Sequence, residues 1–190
     1  MCGPSPFSAV GQRASCQPMR LAIISDTHMP KGARALPADC VAALRAADLI
    51  VHAGDLVRAE VLEQLRGYGE VAAVHGNVDE PALRTALPAE LELELPGGAR
   101  LAVVHDAGPR AGRLGRMRRR FPRADAVVFG HSHLPLHETD PADGFQLFNP
   151  GSPTERRRAP RHTMGLAHVA EGRIAFELVA LEAPANAPTI

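Results

Sequence analysis

Five times along this chain a short apolar run stops at Asp, Asn or His. Leu21-Ala22-Ile23-Ile24 leads into Ser25-Asp26-Thr27-His28, and Val51 into His52-Ala53-Gly54-Asp55. Val74 leads into His75-Gly76-Asn77-Val78-Asp79, and Leu101-Ala102-Val103-Val104 into His105-Asp106. The last is Ala126-Val127-Val128-Phe129, followed by Gly130-His131-Ser132-His133. Runs this short and this rich in β-branched residues suit buried strands. Open α/β sheets build their ligand sites at the carboxyl ends of strands. The polar residues are therefore placed to converge, and a set of carboxylate, amide and imidazole donors suits divalent transition metals.

The same patterning outlines the fold. Strands are expected at 20–25, 48–52, 71–75, 91–95, 101–105, 126–129, 145–148, 164–169 and 174–179. Helices are expected at 37–46, 57–66, 80–86 and 110–121, with Pro37 in a first turn and Gly67 as a C-cap. Strand and helix alternate in the first half, which favours parallel pairing. The later strands read as antiparallel hairpins, with Gly97-Gly98 and Gly172 at the turns. Residues 1–18 are rich in Pro, Ser, Gly and Gln without periodicity and are expected to form a disordered extension. Residues 19–182 make one domain, and 183–190 a C-terminal tail.

Composition excludes several classes. Basic and acidic residues balance at 21 each, so no global charge draws the chain to nucleic acid or membrane. No apolar stretch reaches the ~18 residues of a membrane span. No leader-like apolar segment opens the chain, and the three cysteines, Cys2, Cys16 and Cys40, are odd in number and lack metal spacing. A cytoplasmic location is expected. Arginines crowd two segments: Arg110, Arg113, Arg116, Arg118, Arg119, Arg120 and Arg123, then Arg156, Arg157, Arg158 and Arg161. They read either as solvated surface or as attraction for a polyanion. Scarce aromatics, with one Tyr and no Trp, weaken the nucleic-acid reading.

Asp26 and His28 are two residues apart, a spacing that in an extended chain puts both side chains on one face, and His131 and His133 repeat it. With Asp55, Asn77 and His105 they supply donors enough for two cations. In order along the chain the motifs are Asp26-Thr27-His28, Gly54-Asp55, Gly76-Asn77-Val78-Asp79, His105 and Gly130-His131-Ser132-His133. This series resembles the calcineurin-like metallophosphoesterase superfamily, whose motifs are D-x-H, G-D, G-N-H-[DE], H and G-H-x-H. The length and Asn149-Pro150-Gly151-Ser152 resemble its small, single-domain bacterial and archaeal branch.

The resemblance implies an α/β fold of two mixed β-sheets packed face to face with helices outside. It implies that Asp26, His28 and His133 hold a first metal, that Asn77, His105 and His131 hold a second, and that Asp55 bridges them. Asp26, Asp55, Asn77 and His105 become the catalytic core. Two cations ~3.5–4 Å apart would activate a bridging water and clamp phosphoryl oxygens. Manganese is the expected ion, with iron, zinc, nickel and cobalt as alternatives to it. The activity implied is hydrolysis of a small phosphoester, as a phosphodiesterase first and a phosphomonoesterase or nucleotide hydrolase second. A non-catalytic reading also exists, because a eukaryotic retromer subunit uses this fold as a protein-binding scaffold. A homo-oligomer is compatible with all of these.

Some positions depart from the pattern or stay open. Val78 stands where many relatives carry the His credited as general acid, which biases the chain toward esters with good leaving groups. Asp106 replaces a common Gly and could repel anionic substrates or orient His105. Asp79 could orient a neighbour of the site or cap the helix at 80–86. His52 and His75 read as structural or supporting residues, and Asn149 as a supporting one. Glycines 54, 76 and 130 read as sharp strand-end turns. An arginine of 156–161 could reach a substrate phosphate.

Overall fold

A computed structural model describes residues 17–182. The expected extension and tail fall almost entirely in 1–16 and 183–190, outside the described residues. The strands are β1 (Met19–Ile24), β2 (Leu49–His52), β3 (Val71–Ala73), β4 (Glu90–Glu94), β5 (Arg100–Val104), β6 (Ala126–Phe129), β7 (Leu136–Thr139), β8 (Gln146–Asn149), β9 (Thr163–Ala170) and β10 (Arg173–Ala180). The α-helices are α1 (Ala38–Ala46), α2 (Ala59–Arg66), α3 (Pro81–Ala86) and α4 (Arg113–Arg120). Short 3-10 turns lie at Lys31–Ala33 and Pro96–Gly98.

The strands form two mixed sheets, ordered β10-β9-β1-β2-β3 and β4-β5-β6-β8-β7. Alternation along each central strand divides the core into layers. Leu21 and Ile23 of β1, Val51 of β2, Leu101 and Val103 of β5 and Val128 of β6 pack with Phe148 between the sheets. The residues between them point outward. Ala22, Ile24 and Ile50 pack under Leu44, Leu62, Leu65 and Leu83 of the first three helices. Ala102, Val104, Val127 and Phe129 pack under Met117 and Phe121 at α4. Burial on both faces explains why these strands read as continuous apolar runs.

Three details correct the sequence reading. The β4–β5 and β9–β10 pairs are antiparallel, as expected. However, β5–β6 and β6–β8 are parallel, because α4 carries the chain across between β5 and β6. β7 was not expected: it is a polar edge strand, Leu136-His137-Glu138-Thr139, mostly exposed and, among the described residues, paired to β8 alone. Pro37 precedes α1 rather than opening its first turn, and Gly67 caps α2 in the ordinary right-handed region. At the far end, Gly97 and Gly172 meet: a side chain on Gly97 would come within 2.3 Å of the Gly172 amide nitrogen. The hairpin turns of the two sheets are thus packed on one another.

Strands β1, β2 and β3 are mutually parallel, as are β5, β6 and β8. The loops leaving β1, β2, β5, β6 and β8 come together at one edge of the sandwich.

Candidate metal centre

The hydrogen-bond ladders do not stop where the strands do. The Asp26 amide donates to Gly54 O at 2.9 Å, and the His28 amide to Asp55 O at 3.0 Å. On the other sheet, the Gly130 amide donates to His105 O at 3.0 Å. These zipped loops turn sharply. Asp26, His28, Asp55, Val57, His131 and His133 all have left-handed backbone, with φ between 45° and 87°. Such conformations cost non-glycine residues about 1–3 kcal/mol each and collect at functional sites. The two pairs spaced two apart are therefore left-handed loop residues, not the extended pairs the sequence suggested.

All seven expected site residues meet here, in two adjoining groups. Donor atoms of Asp26, His28 and His133 lie within 4.8 Å of one another, and all three residues are buried. Asp55, His105 and His131 form a second such group, in which His131 is exposed. Asn77 joins it, its Oδ1 3.0 Å from His131 Nδ1 and 3.1 Å from His105 Nε2. Asp55 touches both groups: its Oδ2 is 3.4 Å from His28 Nε2 and 3.3 Å from His105 Nε2.

The donor chemistry calls for a cation. His133 donates Nδ1–H to Glu155 O, so its Nε2 carries a lone pair, and this buried atom has no hydrogen-bond partner among the described residues. His28 Nε2 is likewise buried and has no hydrogen-bond partner among the described residues. His105 donates Nδ1–H to Ala53 O at 2.7 Å, which leaves its Nε2 facing the oxygens of Asp55 and Asn77 and Nδ1 of His131. Buried nitrogens left without partners, as at His28 and His133, are costly unless positive charge sits beside them. Titration points the same way. Burial works against a charged His105, yet the hydrogen bond and charge of Asp55 outweigh it and raise the imidazole. Burial would raise the Asp55 carboxyl, but His105 and the Val78 amide hold it down at about 2. The residues present fit divalent metal ions.

The supporting shell is largely one the sequence did not reveal. Ser152 Oγ donates to Asp26 O at 2.8 Å and accepts the Glu155 amide at 2.8 Å. Thr154 Oγ1 donates to Thr27 O at 2.5 Å. Glu155 lies 3.7 Å from His28 Nδ1 and pairs with Arg34 at 3.0 Å. Asn149, expected as a support, donates Nδ2–H to Gly130 O at 2.9 Å. His52 is fully buried. It accepts the Gly54 amide at Nδ1, so its Nε2–H is donated to Thr27 Oγ1 at 3.2 Å. Burial lowers its pKa to about 4, against the pull of nearby carboxylates, so it is neutral. His75 only approaches Gly76 O, at 3.4 Å.

The open alternatives resolve by contact. Asp79 accepts the amides of Val57 at 2.6 Å, Gly76 at 2.7 Å and Asp55 at 3.2 Å, tying the second and third loops together. It is not the helix cap; Glu80 precedes α3, and its carboxylate instead accepts the Ala59 amide at the start of α2. Asp106 accepts its own turn amide at Gly108 at 2.7 Å, whereas Ala53 O orients His105. Of the three glycines only Gly54 is left-handed. Gly76 and Gly130 serve close approach: a Cβ there would sit 2.0 Å from Asp55 Oδ1 or 1.9 Å from Ser25 Oγ. Val78 is 43% exposed beside the cluster, and its amide donates to Asp55 Oδ1 at 3.0 Å.

The sequence model of the calcineurin-like phosphoesterase superfamily domain matches residues 19–172, nearly all of the folded part. The chain belongs to the calcineurin-like phosphoesterase superfamily. A probable metallophosphoesterase of Methanocaldococcus jannaschii is 32% identical over 167 residues, which cover 86% of this chain and 82% of that protein. Among solved structures, Vacuolar Protein Sorting 29 from Cryptosporidium parvum superposes with TM-score 0.70 at 19% identity, covering 86% of this chain and 98% of that one. The E. coli phosphoesterase YfcE superposes with TM-score 0.55 at 21% identity, covering 86% and 100%. Both structural likenesses establish the shared fold. Among the described residues, no helix of this superfamily member is long and apolar enough to cross a membrane.

Proposed function

We propose that this protein is a dinuclear metal-dependent phosphodiesterase acting on small phosphoesters in the cytoplasm. The observation that carries the reading is the pair of donor groups joined by Asp55, with buried Nε2 atoms of His28 and His133 that have no hydrogen-bond partner among the described residues. Asp26, His28 and His133 would hold one cation, and Asn77, His105 and His131 the other, with Asp55 between. Bound there, divalent ions such as manganese supply Lewis-acid charge for phosphoryl oxygens and a nucleophile from water at neutral pH.

The chain's own groups set the rest. Asp55 stays ionised across the working pH range. A cleft of about 410 Å3 lined by Asn77, His105, His131, Arg84 and Arg120 opens onto the exposed donors and admits a phosphoryl group. Val78, exposed and next in the chain to Asn77 of the lining, can donate no proton, so a leaving group would depart without acid help from that position. This favours diesters with stable leaving groups over alkyl monoesters.

A second reading is favoured by the likeness to Vacuolar Protein Sorting 29: a scaffold that binds other proteins. The complete donor set argues for catalysis instead. The deciding experiment is a screen of the manganese-, zinc- and nickel-loaded protein over phosphodiesters, phosphomonoesters and cyclic nucleotides. Turnover of diesters above monoesters supports the proposal. Metal binding with no turnover of any ester would favour the scaffold.

A further inference from the structure

We propose that the cleft beside the His131–His133 loop binds a second anionic group of the substrate, a phosphate carried on a nucleoside-sized body. The inference rests on the phosphodiesterase reading and names the substrate class for it.

The cleft has a volume of about 620 Å3. Arg110, Arg113 and Arg158 line it together with Leu134, Pro135 and Leu136. Its edge is Ser132, the residue between the two site histidines. His131 walls the neighbouring cleft over the exposed donors. Ser132 and His131 are consecutive in the chain, so the two clefts flank the same loop. The size suits a sugar and base rather than a bare ion.

Elsewhere on the arginine-rich segment Arg119 and Arg123 have no side-chain hydrogen bond or ion pair among the described residues, but three guanidiniums are engaged. Arg116 donates to the carbonyls of Ala107, Pro109 and Ala111, Arg118 pairs with Asp143, and Arg120 with Glu90. Arg113 is anchored at the cleft, donating twice to Gly108 O and stacking 4.9 Å over the Phe129 ring. Arg110 and Arg158 come from different segments and are exposed. Among the described residues, neither side chain has a hydrogen bond or ion pair. Against three arginines the cleft sets one carboxylate, Glu138. Positive charge brought together from two separate segments suits a phosphate. Leu134, 44% exposed, offers an apolar wall to the body that carries it.

The test compares p-nitrophenyl thymidine 5′-phosphate with the same ester bearing a 3′-phosphate, at saturating manganese. The wild type should favour the 3′-phosphorylated ester at least tenfold in kcat/KM, mainly through KM. Arg110→Glu/Arg158→Glu should erase that ratio, and Arg158→Glu alone should reduce it. An unchanged thermal midpoint shows that the variants fold. No preference in the wild type, or a preference that survives the double reversal, would overturn the inference. Calorimetry of thymidine 3′,5′-bisphosphate against thymidine 5′-monophosphate separates this from the parent reading. If neither ester is cleaved, the phosphodiesterase reading fails alone. Tighter bisphosphate binding that the double variant loses would still uphold the anion site, and equal affinities would overturn it.

Discussion

Asp26, His28 and His133 lie sealed beneath the loops after β1 and β6, whereas Asn77 and His131, in the same cluster, face solvent. Both groups contain left-handed residues and a histidine whose Nδ1–H goes to a backbone carbonyl. Ser152 and Thr154 clasp the Asp26 and Thr27 carbonyls of the sealed group, and Arg84 holds the Asn77 and Asp79 carbonyls of the open one, where Asn77 is set against His131. The contrast assigns different work to each half. A largely buried group is preorganised to keep its cation, and a group that faces a cleft is free to meet substrate. Asp55 belongs to both, so changing it tests the comparison most severely. Asp55→Asn should lower metal-dependent hydrolysis by roughly a thousandfold or more, because the lost negative charge also leaves two cations repelling each other. Near-wild-type turnover with both ions still bound would sink the bridging role.

The next largest effect separates the halves. His133→Ala should empty the sealed position and His131→Ala the open one, read by anomalous scattering from crystals of each variant. In the wild type, a chelator titration should release the open cation first. Loss of the same ion from both variants would show that the histidines do not divide as their burial suggests.

How far the site could be read in advance follows the same line. Asp26, His28, Asp55, Asn77, His105, His131 and His133 were legible because each ends an apolar run, and strand ends are placed by patterning alone. Strand positions in the core were legible for the same reason. Their supports were not. Ser152, Thr154, Glu155 and the carbonyl of Ala53 act through hydrogen bonds to residues far away in sequence, and nothing in their local pattern distinguishes them from ordinary loop residues. β7 was missed because an exposed edge strand has no apolar period to detect. Parallel pairing of β5 with β6 and β8 depends on where α4 crosses, a matter of topology rather than of residue pattern.

Support can also be compared across the halves. Ser152→Ala removes a buried donor to Asp26 O and a buried acceptor for two amides, and should cost ~1–3 kcal/mol in urea unfolding. Ser132 is half-buried on the open side, where water can replace its contacts with Asn149 and the Leu134 amide. Ser132→Ala should cost less than half as much. Equal losses would mean that burial does not distinguish the two loops.

His52, behind the sealed group, gives a smaller, pH-dependent effect. Its folded pKa of about 4 lies below its ordinary 6.5, so the unfolded chain binds a proton that the folded chain refuses. Stability should therefore be lost progressively as pH falls from 6.5 toward 4, and the loss stops growing below that window. In metal-free protein, His52→Gln should flatten this limb of the melting curve while keeping an acceptor for the Gly54 amide. An identical limb in both proteins would assign the acid sensitivity elsewhere.

The smallest effect concerns the open side alone. Val78 is exposed, follows Asn77 of the cleft lining, and donates its amide to Asp55. Valine offers no proton there, and the wild-type rate should depend steeply on leaving-group pKa. Val78→His should flatten that dependence and raise turnover most, roughly 10²-fold at best, for the poorest leaving groups. It should also shift preference toward alkyl monoesters, whose departing alkoxide most needs protonation. The measurement is a series of aryl and alkyl phosphoesters at fixed pH and saturating manganese. Because the backbone contact with Asp55 is unchanged by the substitution, the sealed cation should be retained, which metal analysis of the same samples can check. Parallel lines for the two enzymes would place position 78 out of reach of the leaving group, and the bias toward activated esters would then need another cause than the missing acid.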